Sequence, residues 1–104
     1  MTSREVVEGQ QPQGADEEVT YTLTTTPWGS SPSNVVVTVY DITLESVREN
    51  VTSTVTSGSP SVNGDVITLP VILDLVENHN YRVEVKFTTG GQVYEPYFYI
   101  VGEM

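Results

Sequence analysis

Residues able to do covalent chemistry are scarce in this sequence. The only histidine, His79, sits in the polar run Glu77-Asn78-His79-Asn80, where a solvated turn residue is the plainer role. A nucleophile or general base needs partners that tune it, and no serine lies in a Gly-x-Ser-x-Gly elbow. There is no glycine-rich loop opening a helix to cradle phosphate, and no histidine pair for zinc. The absence of cysteine removes disulfides and thiolate metal sites. Carboxylates remain: Asp41 with Glu45, or Asp74 with Glu77, could meet at one end of a fold and ligate calcium through oxygen. No Asp-x-Asp-x-Asp-Gly run accompanies them, so solvated loop acids are the simpler reading. Asn50-Val51-Thr52 fits a glycosylation sequon but has no secretory leader to go with it. The expectation is a protein that is not an enzyme and that carries no metal and no cofactor.

The residues that could do something else lie near the C-terminus. Alternation from Val93 to Val101 puts Tyr94, Phe98 and Ile100 on one side, and Val93, Tyr97, Tyr99 and Val101 on the other. Only one face of a sandwich strand enters the core. The preceding strand turns Arg82, Glu84 and Lys86 outward, beside those tyrosines. Tyrosine and arginine are enriched where protein partners bind, so Tyr97, Tyr99, Val101, Arg82 and Lys86 form the candidate interface. The competing reading is that Arg82 and Lys86 merely drape over the rings, at about 0.5–1 kcal/mol per contact.

Charge limits what such a partner can be. Fourteen acidic residues against four basic ones give a formal charge of −10, which repels phosphate backbones and anionic membranes. No nucleic acid and no membrane is expected, and other protein subunits are. The opening MTSREVVEGQQPQG has no apolar core of a secretory signal. The expected location is therefore a cytoplasm, or a larger assembly built there.

These side chains must be carried by strands. Valine and threonine dominate, and β-branched residues favour the pleated surface. No stretch repeats its apolar residues at helical spacing. Val19 to Thr25 alternates, Val35 to Leu44 reads as a central strand, and Val51 to Thr56 alternates again. Asp65 to Leu73 is extended, with Pro70 marking an edge or a bulge. Tyr81, Val83, Val85 and Phe87 alternate with Arg82, Glu84, Lys86 and Thr88. Turns are written at Pro27–Asn34, at Asn63-Gly64-Asp65 and at Gly90-Gly91. About seven strands at this spacing predict an all-β antiparallel sandwich, with Trp28, Tyr81, Phe87 and Phe98 in its core. One domain fits the length. Residues 1–18 read as a polar acidic arm or an edge strand, and 19–104 as the sandwich. The segment 1–15 offers little apolar area, so its removal is expected to leave the fold standing.

Leu75, six residues before Tyr81 and followed by alternating Val83, Val85 and Phe87, resembles the corner before the sixth strand of fibronectin type III and related immunoglobulin-like domains. There the tyrosine hydroxyl bonds back to the corner backbone. Trp28 resembles that family's core tryptophan. The succession Val55-Thr56-Ser57-Gly58, Val62-Asn63-Gly64-Asp65-Val66, Asn80-Tyr81-Arg82-Val83, Phe87-Thr88-Thr89-Gly90-Gly91 and Tyr94-Glu95 is similar to small immunoglobulin-like proteins of tailed-phage structural modules. That likeness spans about half the chain. It implies a head, neck or tail component of a bacteriophage-like virion, made in the host cytoplasm, that docks to other virion proteins and could form homo-oligomers. The alternative is a stand-alone protein-binding module, of inhibitor or adhesin type, that engages one partner through the loops at Trp28–Asn34 and Gly90–Gln92.

Overall fold

The computed structural model of the chain describes residues 5–26, 28–43 and 48–103, with side chains described from Pro12 onward. Its first half holds β1 (Glu5–Gly14), β2 (Thr22–Thr24), β3 (Ser33–Asp41), β4 (Glu49–Asn50) and a single helical turn, α1 (Thr52–Val55). The second half adds β5 (Thr56–Ser57), β6 (Ser61–Asn63), β7 (Val66–Thr68), β8 (Val71–Ile72), β9 (Asn80–Thr89), β10 (Gln92–Tyr94) and β11 (Tyr97–Glu103). The chain is all-β, as its valine and threonine content predicts, and its sheets share one core.

The larger sheet runs β1-β11-β9-β3-β4, with β10 also paired to β9. β9, β10 and β11 form one long hairpin, because β10 and β11 meet β9 in a single register around the Gly90-Gly91 turn. Both glycines have positive φ, 56° and 78°, which is the backbone that a two-residue hairpin turn demands. The second layer holds β2-β7-β6 and the pair β5-β8, with an isolated bridge from Val19 to Ile72. These pieces make one ladder interrupted at Leu69-Pro70, where the proline breaks the pairing.

Alternation places Val37 and Val39 of β3 and Tyr81, Val83, Val85 and Phe87 of β9 on the inner face. They close against Leu23, Ile67, Leu69 and Ile72 of the second layer, with Phe98 and Ile100 from β11. Tyr81, Phe87 and Phe98 are thus core residues. Trp28 is not fully buried: it lies half-exposed at the rim, its ring edge-on to Phe87 at 6.0 Å. Its loop carries the chain between layers, so the ring closes one end of the sandwich and does not fill its centre.

The corner before β9 has the geometry its residues imply. Leu75 is buried, and the backbone N–H of Val76 donates to the Tyr81 hydroxyl at 2.7 Å. Asp74 and Asn78 adopt left-handed φ of 53° and 68°, which short polar side chains tolerate. β11 then runs against this corner. The Asn78 N–H donates to the Gly102 carbonyl, and the Gly102 N–H to the His79 carbonyl, both at 2.9 Å.

Three local expectations change. Of the two readings for the N-terminal stretch, the structure has the strand: β1 pairs with β11, and it does so in parallel, within sheets that are otherwise antiparallel. The alternating run from Val51 is not extended at first. The Asn50 side chain accepts hydrogen bonds from the Thr52 N–H and hydroxyl, at 3.1 and 2.8 Å. This local turn competes with strand geometry, and Val55 anchors the resulting helical turn in the core. Finally, the strand expected over Val19–Thr25 is regular only at Thr22–Thr24, because the ladder it joins is broken at Leu69-Pro70. Leu44 and Glu45 lie outside the described residues.

Candidate functional site

The outer face of the larger sheet is built on neighbouring rungs. Tyr99, Arg82 and Tyr40 are in register across β11, β9 and β3, and Tyr97, Glu84 and Thr38 form the next rung. Residues opposite each other on adjacent strands lie about 5 Å apart, so these side chains meet. The Arg82 guanidinium lies over the Tyr97 ring, 3.8 Å from its centre. Tyr97 in turn packs edge-on against Tyr99, at 5.5 Å between ring centres. From the far side of the sheet, Arg48 places its guanidinium 4.4 Å from the centre of the Tyr40 ring.

Between the two arginines lies Glu84, with only 8% of its surface exposed although it points away from the core. Its Oε2 sits 2.8 Å from Arg82 Nε and 3.7 Å from Arg48 Nη1. The short Arg82 contact is an ion pair without a directed hydrogen bond, since the Nε hydrogen points off the carboxylate and has no acceptor. Arg82 is thus held by a ring below and a carboxylate beside it, which limits the rotamer freedom that binding would otherwise remove, while the Arg48 side chain stays 55% exposed.

The structure brings together four of the five expected interface residues and adds three. Tyr97, Tyr99, Val101 and Arg82 share the face, half-buried. Lys86 is exposed on the same side of β9, but its register partner is Val36 and it lies two positions beyond Glu84. The second cation stacked on a tyrosine is Arg48. Glu84 was legible as an outward residue of β9 by alternation, whereas Tyr40 and Arg48 were not legible as partners, because they are set by pairing across three strands and not by local spacing. Toward the hairpin turn the face ends in the exposed valines Val36 (54%) and Val93 (60%).

A second polar cluster closes the opposite end. Asp41 Oδ2 lies 2.7 Å from His79 Nδ1, while Asp41 Oδ1 accepts from the Thr43 hydroxyl at 2.6 Å and the Thr43 N–H at 3.0 Å. Burial alone would raise the Asp41 pKa, but the hydrogen bonds from Thr43 and His79 and the charge of His79 outweigh it and hold the carboxyl below its ordinary value. His79 is therefore a paired residue and not a freely solvated one. Thr43 also receives the Asn80 N–H at 2.9 Å, so the cluster ties the end of β3 to the start of β9. Asp74 and Glu77 are exposed, and among the described residues no group of three or more metal-ligating side chains gathers.

Comparison of the chain with protein families, curated proteins and solved structures finds no match.

Proposed function

We propose that the chain is a non-catalytic docking subunit of immunoglobulin-like architecture, a structural or adaptor component of a bacteriophage-like virion, and that it binds a neighbouring protein through the outer face of its larger sheet. The observation that carries this reading is the arrangement of Arg82 and Arg48 on Tyr97 and Tyr40 around Glu84. Aromatic and arginine side chains held rigidly on an open sheet are what binding hot spots are made of. An unpartnered sheet in so acidic a protein could more simply carry threonine, as β2 does. The immunoglobulin-like reading is supported by the tyrosine corner and by the way the chain alternates between layers from β1 to β9.

The test is a double substitution, Tyr97→Thr with Tyr99→Thr, followed by a thermal melt and by mass spectrometry of purified particles. Threonine keeps β-propensity, so folding should change by no more than about 1 kcal/mol. Loss at two anchors should remove the chain from particles, at about 2 kcal/mol or more each. Unchanged incorporation would reduce the tyrosines to surface packing.

A second reading, a stand-alone binding module, draws on the opposite end of β9. There the Thr89 hydroxyl donates to the Ser30 carbonyl at 2.6 Å, which holds the half-exposed Trp28 loop beside the Gly90-Gly91 turn. A partner contacting only these loops would favour it.

A further inference from the structure

We propose that Asn63 is a site of spontaneous covalent modification, at which attack by the Gly64 backbone nitrogen produces an isoaspartate that releases the Trp28 loop from Asp65. The chain holds five asparagines, and only Asn63 precedes glycine. Asn34 and Asn50 precede valine, Asn78 precedes histidine and Asn80 precedes tyrosine. Those side chains shield the nitrogen that would have to attack, and glycine has none.

The fold presents this pair at an open point. Asn63 ends β6, a three-residue strand at the edge of the second layer that pairs only with β7. Ser61, Val62, Asn63 and Gly64 are all exposed. Asn63 faces Val66 in register, so Gly64 and Asp65 form a two-residue loop and the Gly64 nitrogen lies outside the ladder. Gly64 has φ 60° with open space beside its α-carbon, as the first central residue of a type II′ turn requires. Ring closure needs the Asn63–Gly64 peptide to rotate out of strand geometry. Local opening costs least where few buried contacts are broken, and a short exposed edge strand breaks few.

The chemistry needs only water. The Gly64 nitrogen attacks Cγ of Asn63, and the new N–C bond closes a five-membered imide. The Cγ–Nδ2 bond breaks, and ammonia leaves with the proton of the Gly64 N–H. Water then opens the imide at either carbonyl. Breaking the bond from nitrogen to Cγ restores the original main chain with an aspartate at position 63. Breaking the bond to the main-chain carbonyl carbon leaves the chain running through Cβ and Cγ, which is isoaspartate.

Asp65 makes that rearrangement matter. Its main-chain carbonyl accepts from the Thr25 N–H at 2.7 Å and from the Thr25 hydroxyl at 3.2 Å. Its carboxylate accepts from the Thr26 hydroxyl at 3.2 Å and from the Ser31 N–H at 3.4 Å. These bonds fall on both sides of Trp28. Turn type and loop length fix the register of a hairpin. The extra main-chain carbon lengthens the step from residue 63 to 64 beyond the ~3.8 Å of an ordinary trans peptide. Val66–Thr68 keep their pairing with β2, so the added length is taken up at Asp65, which is displaced from the Trp28 loop.

The full chain would be held at physiological temperature in mildly alkaline buffer and sampled by peptide mapping, with electron-transfer fragmentation to separate aspartate from isoaspartate. Residue 63 should gain one mass unit, mostly as isoaspartate, while the other four asparagines stay intact. Emission from Trp28, the only tryptophan, should move to longer wavelength in step with the isoaspartate. Asn63→Thr, which keeps β-propensity, should abolish both the gain and the shift. Freshly prepared Asn63→Asp carries the product's charge on an unaltered main chain and should emit as the parent does.

An intact residue 63, over a period in which a synthetic peptide of residues 58–69 converts, overturns the proposal, because the fold then blocks ring closure. Conversion at another asparagine instead overturns it as well. Conversion at residue 63 with steady Trp28 emission overturns the release of the loop. An emission shift already present in Asn63→Asp assigns the effect to charge and overturns the role of the rearranged main chain.

Discussion

The phenol of Tyr21 donates its proton to Oε1 of Gln13 across 2.8 Å, joining the edge strand of one sheet to the neighbouring layer. Gln13 is 1% exposed, and its amide nitrogen donates to the Ile72 and Glu17 carbonyls at 2.8 and 3.1 Å. Burial, reinforced by the charge of Glu17, pushes the Tyr21 pKa up, so this donor stays protonated well into the alkaline range. Gln13→Ala would leave these buried partners unmatched and should cost about 2–3 kcal/mol, while Tyr21→Phe should cost about 1. Urea melts would compare them. Deleting residues 1–15 should cost more than either, because it also strips the backbone pairing from β11, contrary to what the polar composition of the segment implies.

Gly102 offers a test in which the side chain is the intruder. A Cβ there would overlap the Val76 carbonyl, which the tyrosine corner fixes. Backbone lies in the way, so no rotamer can relieve the clash. Gly102→Ala should destabilise by about 1–3 kcal/mol, the range for overpacking, whereas Gly64→Ala, at an open turn with φ 60°, should cost about 1 through backbone strain alone. Thermal melts of the two would rank them.

Tyr81→Phe keeps the buried ring and removes only the acceptor of the Val76 N–H. The expected loss is about 1 kcal/mol, rising to about 3 if that N–H finds no water. Trp28→Ala should fall short of the ~3–5 kcal/mol typical of fully buried large rings, because this ring is half-exposed. Equal losses in urea for Trp28→Ala and a fully buried Phe87→Ala would contradict the rim position.

Asp41 predicts a pH dependence with a defined sign. A carboxyl whose folded pKa lies below its unfolded value, about 3.9, contributes stability above that value. The contribution is lost as pH falls through the lower folded pKa. Asp41→Asn should therefore be less stable than the parent at neutral pH and should show a shallower loss of stability below about pH 4. Urea midpoints between neutral pH and about pH 2.5 would reveal whether the two curves converge.

Most of the frame was legible because burial on one side writes a period of two into the sequence. Val83, Val85 and Phe87 alternate with Arg82, Glu84 and Lys86, and both faces of β9 follow directly. Gly90-Gly91 announces its turn because few other residues accept that backbone. β1 was ambiguous for the opposite reason: Gln10, Gln11, Pro12 and Gln13 write no apolar alternation into the sequence, and the strand pairs with β11 through its backbone while the buried amide of Gln13 ties it to the second layer. The Val51–Val55 run misleads because a side chain, that of Asn50, decides its conformation. Half of the candidate site was visible, in the tyrosines and Arg82. Arg48 and Tyr40 join them only through strand pairing, which leaves no local periodicity to read.

The parallel pairing of β1 with β11 also has a mechanical consequence. The backbone enters at Glu5 beside Tyr97 and leaves at Glu103 beside Gly14, at opposite ends of two strands that point the same way. Tension applied at those two points slides one strand along the other, so the bonds between them are loaded together and not opened singly from one end. A subunit tethered through both ends would therefore resist extension chiefly through the backbone pairing of this edge strand with β11.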